Sequence, residues 1–271
     1  MNTPSIHTAP RWRVVAKEQL RVAEEHTRLL SLLLVVVFAL IAGTFVRMGY
    51  VAAHQSPRVG ITNMTYIPQM TGMLLILPLI LPLVIWQDED PRRRAYHRAM
   101  PMSQPLHALT KVFAGWVWLM VSMCAFVAFM LILRVMMQRA TGNAQNYVPG
   151  FVWWEWLVPF TSVTIAYLLA SSAAVGTRQP FVWIFGMPLV YPGIAMLFEN
   201  AGMRQVAHQM SRLISGYYGV TTAVVGNITW PQGPQHLPLP SLERWLLATL
   251  VWGTAGGVLL YVIARRRTEA S

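Results

Sequence analysis

The chain has 271 residues, 55% hydrophobic and 11% charged, with a mean hydropathy of +0.45. That composition excludes disorder and argues against an ordinary soluble domain. The net charge of +11 does not point to nucleic acid, because the basic residues sit mainly beside apolar runs of membrane-crossing length.

Residues 1–10 are polar and proline-containing and read as a loosely ordered leader. From Arg11 to Arg28, Trp12, Val15, Leu20 and Val22 alternate with Arg13, Lys17, Glu18 and Arg21. This pattern predicts an amphipathic helix in the membrane interface. Glu18, Glu24 and Glu25, and the length of the apolar run that follows, favour a retained signal-anchor over a cleaved signal peptide.

Six apolar runs come next: Leu29–Val46, Met70–Trp86, Val112–Leu133, Trp156–Val175, Phe181–Phe198 and Trp245–Ala264. Each is near the ~20 residues that cross a bilayer as a helix. None holds Asp, Glu, Lys or Arg in its interior. The expected fold is an all-α integral membrane protein. Residues 1–28 form an N-terminal interfacial helix, 29–264 a six-span transmembrane domain and 265–271 a cytosolic tail. With the N-terminus inside, 14 of the 21 Lys and Arg fall on the cytosolic side, including the clusters at Arg92–Arg94 and Arg265–Arg267. The positive-inside bias thus predicts that both termini are cytosolic. On the outer side, Leu213–Val225 is apolar but too short to cross, and is expected to dip in and return.

Trp86–Lys111 is the strongly charged connection. Asp88, Glu89 and Asp90 precede Pro91, then Arg92, Arg93, Arg94 and Arg98. A helix starting at Pro91 loses no backbone donor there; Asp90 caps it, and the acids sit at the positive end of its dipole. Ala95, Tyr96, Ala99 and Met100 share one side at helical spacing. Pro101 ends it, and Ser103 with Pro105 starts a second helix that runs through Lys111 into the third span. The other cytosolic connection is the short turn Gly176–Pro180, with Arg178 in it.

Chemistry-bearing motifs are missing. There is no GxxxxGK[ST] phosphate loop, HExxH, CxxC or GxSxG. The only cysteine, Cys124, lies inside an apolar run, and the histidines have no ligand spacing. No catalytic, cofactor or metal residue is therefore expected in the chain. Spans without interior charge also lack the relay groups of ion-driven pumps, so energy is expected to arrive through the cytosolic loop. Pro78, Pro82, Pro159, Pro188 and Pro192 are expected to kink their spans. Gly253 and Gly257 form a GxxxG pair for helix packing, and Ser171, Ser172, Ala173 and Ala174 allow close approach in the fourth span.

The layout resembles the permease subunits of type-2 ABC exporters. An amphipathic N-terminal helix precedes six spans. The loop after the second span carries Asp88, Glu89, Asp90, Arg92 and Arg98, then Pro101 and Ser103, and Lys111 at the third span. A long outer connection precedes the last span. Gln104 and Pro105 depart from the family, where a basic residue often follows the serine.

The resemblance implies that the loop helix is a coupling helix docked on a separate cytosolic ABC ATPase. Asp88, Glu89, Asp90, Arg92, Arg93, Arg94, Tyr96, Arg98, Met100, Pro101 and Ser103 would form that contact, and Arg178 a smaller one. It also implies ATP and magnesium in that partner, a second permease half, a lipid environment in a bacterial inner membrane, and no enzymatic activity in this chain. The alternative reading is a non-transporting subunit that scaffolds or matures a membrane complex, with the arginines holding anionic lipid. The third, a lipid-acting intramembrane enzyme, lacks the buried His, Asp or Glu it would need. The cargo is not readable from the sequence.

Overall fold

The computed structural model describes residues 76–87, 104–141, 154, 157–215, 218–224 and 241–269, and separate positions between 17 and 47. Among these residues there is no strand. The helices are α1 (Ile76–Gln87), α2 (Gln104–Thr141), α3 (Val158–Gly176), α4 (Met187–Asn200), α5 (Arg204–Ser215), α6 (Val220–Val224) and α7 (Leu242–Glu269). A π-helical turn, Val182–Gly186, runs directly into α4.

Three stretches are long and apolar enough to cross a bilayer: Pro105–Phe129, Val158–Gly176 and Leu242–Arg266. The described residues are thus all-helical, with three helices that suit a membrane protein. These stretches overlap the third, fourth and sixth apolar runs. The second run is described from Ile76 onward, as the shorter apolar helix α1. The fifth is helical from 180 to 200 but divided by the π turn. In the first, the described positions are helical.

α3 is the central helix, with 12 of its 19 residues buried. Small side chains explain how it can be surrounded: Ala166, Ala170, Ser171, Ser172 and Ala174 let neighbouring backbones approach. On one side, Val163 and Tyr167 join Leu81 and Ile85 of α1 and Leu119, Met123 and Phe126 of α2 in the main core. Phe38 completes this side, its ring stacked on Phe129 at 4.9 Å and tilted against Phe126 at 5.6 Å.

On the other side lies α7. Val158 clusters with Trp245, Ile165 packs with Ala248 and Trp252, a Cβ on Gly256 would meet Leu168 at 3.2 Å, and one on Gly176 would meet Ile263 at 3.1 Å. Both numbers rise together, so α3 and α7 run in the same direction and stay nearly level along their length.

One expectation changes here, at Pro159, and one contact is added, at Gly256. Gly253 and Gly257 have open space where a Cβ would stand, whereas Gly256 carries the close approach. At 3.6 residues per turn Gly256 falls on the line of Trp245, Trp252 and Leu260 that faces the bundle, and the GxxxG pair is turned to its flank. Pro159 does not kink the fourth span. It sits in the first turn of α3, where its missing N–H would have no partner in the helix. Pro82 and Pro192 do lie inside helices. Pro188 comes two residues after the end of the π turn, where Met187 N–H reaches back to Val182 O. The widened turn loosens the backbone just where the proline ring would crowd the carbonyl four residues earlier.

α4 ends in a Schellman turn. Gly202 adopts φ +80°, its N–H bonds Glu199 O at 3.1 Å, and Met203 N–H bonds Phe198 O at 2.9 Å. The chain then doubles back as α5 along α4, with the Tyr191 hydroxyl donating to Met210 O at 2.8 Å. Tyr218 O accepts from Trp252 Nε1 at 2.9 Å, about 15 Å along α7 from Leu242 at 1.5 Å per residue. From there α6 turns back up, packing Ala223 against Ile165 and Ala248.

Candidate functional site: the helix ends around the charged loop

One end of the molecule gathers the end of α1, the start of α2, the turn after α3 and the end of α7. Its geometry begins with α2, which is antiparallel to α3. The Tyr167 hydroxyl donates to Val112 O at 2.9 Å, and Trp116 Nε1 donates to Thr164 Oγ1 at 3.1 Å. Gly115 makes this crossing possible, because a Cβ there would collide with the Tyr167 hydroxyl and with Ile85. Three helices are thus locked at the level of Gly115, Tyr167 and Ile85.

Just below that level the two ends of the charged loop meet. Lys111 Nζ lies 4.5 Å from the centre of the Trp86 ring. Lys111 is only 9% exposed. A desolvated cation over an indole face is held by about 2 kcal/mol. The loop therefore leaves α1 and rejoins α2 at a fixed point on the core.

α3 runs on past this clamp to Gly176. Thr177 closes it, with both its N–H and its hydroxyl bonding Ala173 O, at 3.1 and 2.8 Å. Arg178 follows on an exposed turn, and Val182 N–H bonds Gln179 O at 3.2 Å to start the next helix. By the antiparallel register, Gln104 at the start of α2 stands nearly level with Gly176. α7 brings exposed Arg265 and Arg266 to the same end, because Ile263 meets Gly176.

The structure thus gathers Arg178, Arg265, Arg266 and the anchored ends of the loop on one face. Asp88, Glu89, Asp90, Arg92, Arg93, Arg94, Tyr96, Arg98, Met100, Pro101 and Ser103 lie outside the described residues. Among the described residues no group of three or more His, Cys, Asp or Glu could hold a metal ion.

In the sequence Trp86 and Lys111 stand only as the two ends of the charged connection. Their contact with each other was not foreseen. The one available signal was that an aromatic and a cation bracket the charged segment.

No protein-family model, curated protein or solved structure matches this chain.

Proposed function

We propose that the chain is the permease subunit of an ATP-driven exporter of the type-2 ABC class. It would cross the membrane six times with both termini in the cytosol, paired with a second permease half and two cytosolic ATPases that hold ATP and magnesium. Loop 88–103, with Arg92, Arg93, Arg94 and Arg98, would be the main docking surface and Arg178 the smaller one.

The observation that carries this reading is the Lys111–Trp86 clamp. A force applied to the loop by a partner reaches α1 and α2 at one fixed point, directly beneath the locked crossing with α3. A partner that binds one arrangement of these helices more tightly than the other shifts the balance between them. Arg178, Arg265 and Arg266 at the same end support a cytosolic placement of that face. Exposed apolar side chains at Leu32, and at Phe181, Met196 and Leu197, are available to lipid or to the second half.

The test is purification of the tagged full chain from its native membrane. Magnesium-dependent, vanadate-sensitive ATPase activity is expected in the eluate, and R92A/R93A/R94A is expected to strip it. An eluate without such activity from the unaltered chain sinks the reading.

A further inference from the structure

α5 carries a polar face at a depth where a membrane protein normally has none. On a helical projection, Ala207, Met210 and Ile214 fall on one line, and this line packs inward against α4. Arg204, His208 and Arg212 follow one another at i, i+4 and i+8 along one side of that line, and all three are exposed. Val206 and Leu213 lie on its other side, also exposed, at 44% and 60%. Gln205 and Gln209 stand between the two rows. α5 contains no acid.

The position of this face follows from the path already described. α5 returns along α4, and the chain just beyond it reaches Trp252, about 15 Å down α7 from Leu242. The crossing stretch of α7 runs from Leu242 to Arg266. The basic row therefore descends from the Leu242 end of the bundle toward the middle of the membrane. Arginines at that level are costly against hydrocarbon and are found facing water, protein or a charged ligand.

We propose that this face of α5 is a binding site for an anionic phospholipid, with the phosphodiester on the row Arg204, His208 and Arg212. The acyl chains lie along Val206 and Leu213, and the two glutamines face the ester region. Charge complementarity selects an anion, since the row is wholly basic, and arginine forks suit phosphate oxygens. The adjoining apolar row selects a lipid over a soluble phosphate. The site requires only that α7 cross the bilayer, so it stands apart from the ATPase reading.

The experiment is native mass spectrometry of the full chain released from nanodiscs of equal phosphatidylglycerol and phosphatidylcholine. Phosphatidylglycerol should be retained over phosphatidylcholine, and R204Q/R212Q should lower that preference by roughly fivefold per arginine, the factor that corresponds to about 1 kcal/mol each. R204K/R212K, which keeps the charge, should preserve most of it. V206S/L213S should weaken retention of both lipids, and millimolar glycerol 3-phosphate should not displace the bound lipid. Equal retention of the two lipids by the unaltered chain overturns the proposal. So does a preference that survives R204Q/R212Q, since the lipid would then be held elsewhere, and so does displacement by glycerol 3-phosphate.

Discussion

At the scale of single residues, the glycines separate by what surrounds them. Gly115→Ala should destabilise the protein by about 1–3 kcal/mol, because the added methyl meets a buried tyrosine and an isoleucine that have no space to withdraw. Gly257→Ala should change little, since its Cβ would stand in the open. Thermal unfolding of the full chain in detergent distinguishes the two. The sequence points to Gly253 and Gly257 because their spacing is a recognised motif. Only the orientation of α7 against α3, set by Trp245, Ala248 and Leu260, reveals Gly256 as the contact. A second prediction concerns the same seam. Ser162 Oγ, Thr249 Oγ1 and Trp245 Nε1 are buried without a hydrogen-bond partner. The register that sets Val158 beside Trp245 also brings Ser162 level with Thr249. Thr249→Val keeps the shape and removes an uncompensated hydroxyl, and should stabilise by about 1 kcal/mol. A lower unfolding temperature for this variant would count against that account.

At the scale of elements, the clamp at the loop ends makes a quantitative claim. A double-mutant cycle with Trp86→Leu and Lys111→Met should give a coupling of about 1–2 kcal/mol in unfolding, because the cation is desolvated against the ring. Additive single effects would mean that the two residues act separately. The α4–α5 turn makes another claim. Gly202→Ala places a side chain at φ +80° and should cost about 1–2 kcal/mol. The loss should appear as a loosened α5, read by hydrogen exchange of residues 204–215, with α7 unaffected. The helices themselves were legible in outline, since long uncharged runs can satisfy their backbone groups in a membrane only as helices. Pro105 near the start of α2 was legible too. The π turn was not, because it answers a proline that follows it, in a run whose apolar pattern is unbroken. The return path of α5 was legible only in part. Leu213–Val225 stands out as apolar, but the descent begins at Arg204, whose polar neighbours read as an ordinary outer loop.

At the scale of the whole molecule, the face that gathers Arg178, Arg265 and Arg266 should be on one side of the membrane. Single cysteines placed at Arg178 and Arg266 in a Cys124→Ser background should react with a membrane-impermeant maleimide only after the membrane is opened. Labelling of just one of them in sealed cells would break the shared end that the Gly176–Ile263 contact implies. Membrane character was readable from composition alone; the direction of the bundle is an expectation from where the arginines cluster, and this labelling tests it. The centrality of α3 was not, because its serines and alanines make it less apolar than its neighbours. Its importance comes from being small enough to be surrounded.

The parallel course of α3 and α7 also constrains parity. Whatever lies between them must bring the chain back once, net, to the level where α3 began. The helical run at 180–200 makes that return, and the descent along α5 is turned back before it crosses, since α6 packs Ala223 beside Ala248. A change that drew 204–224 into one complete crossing would invert α7 and carry Arg265, Arg266 and Arg267 to the opposite side. The reversal from α5 to α6 therefore determines which side of the membrane the end of the chain is on.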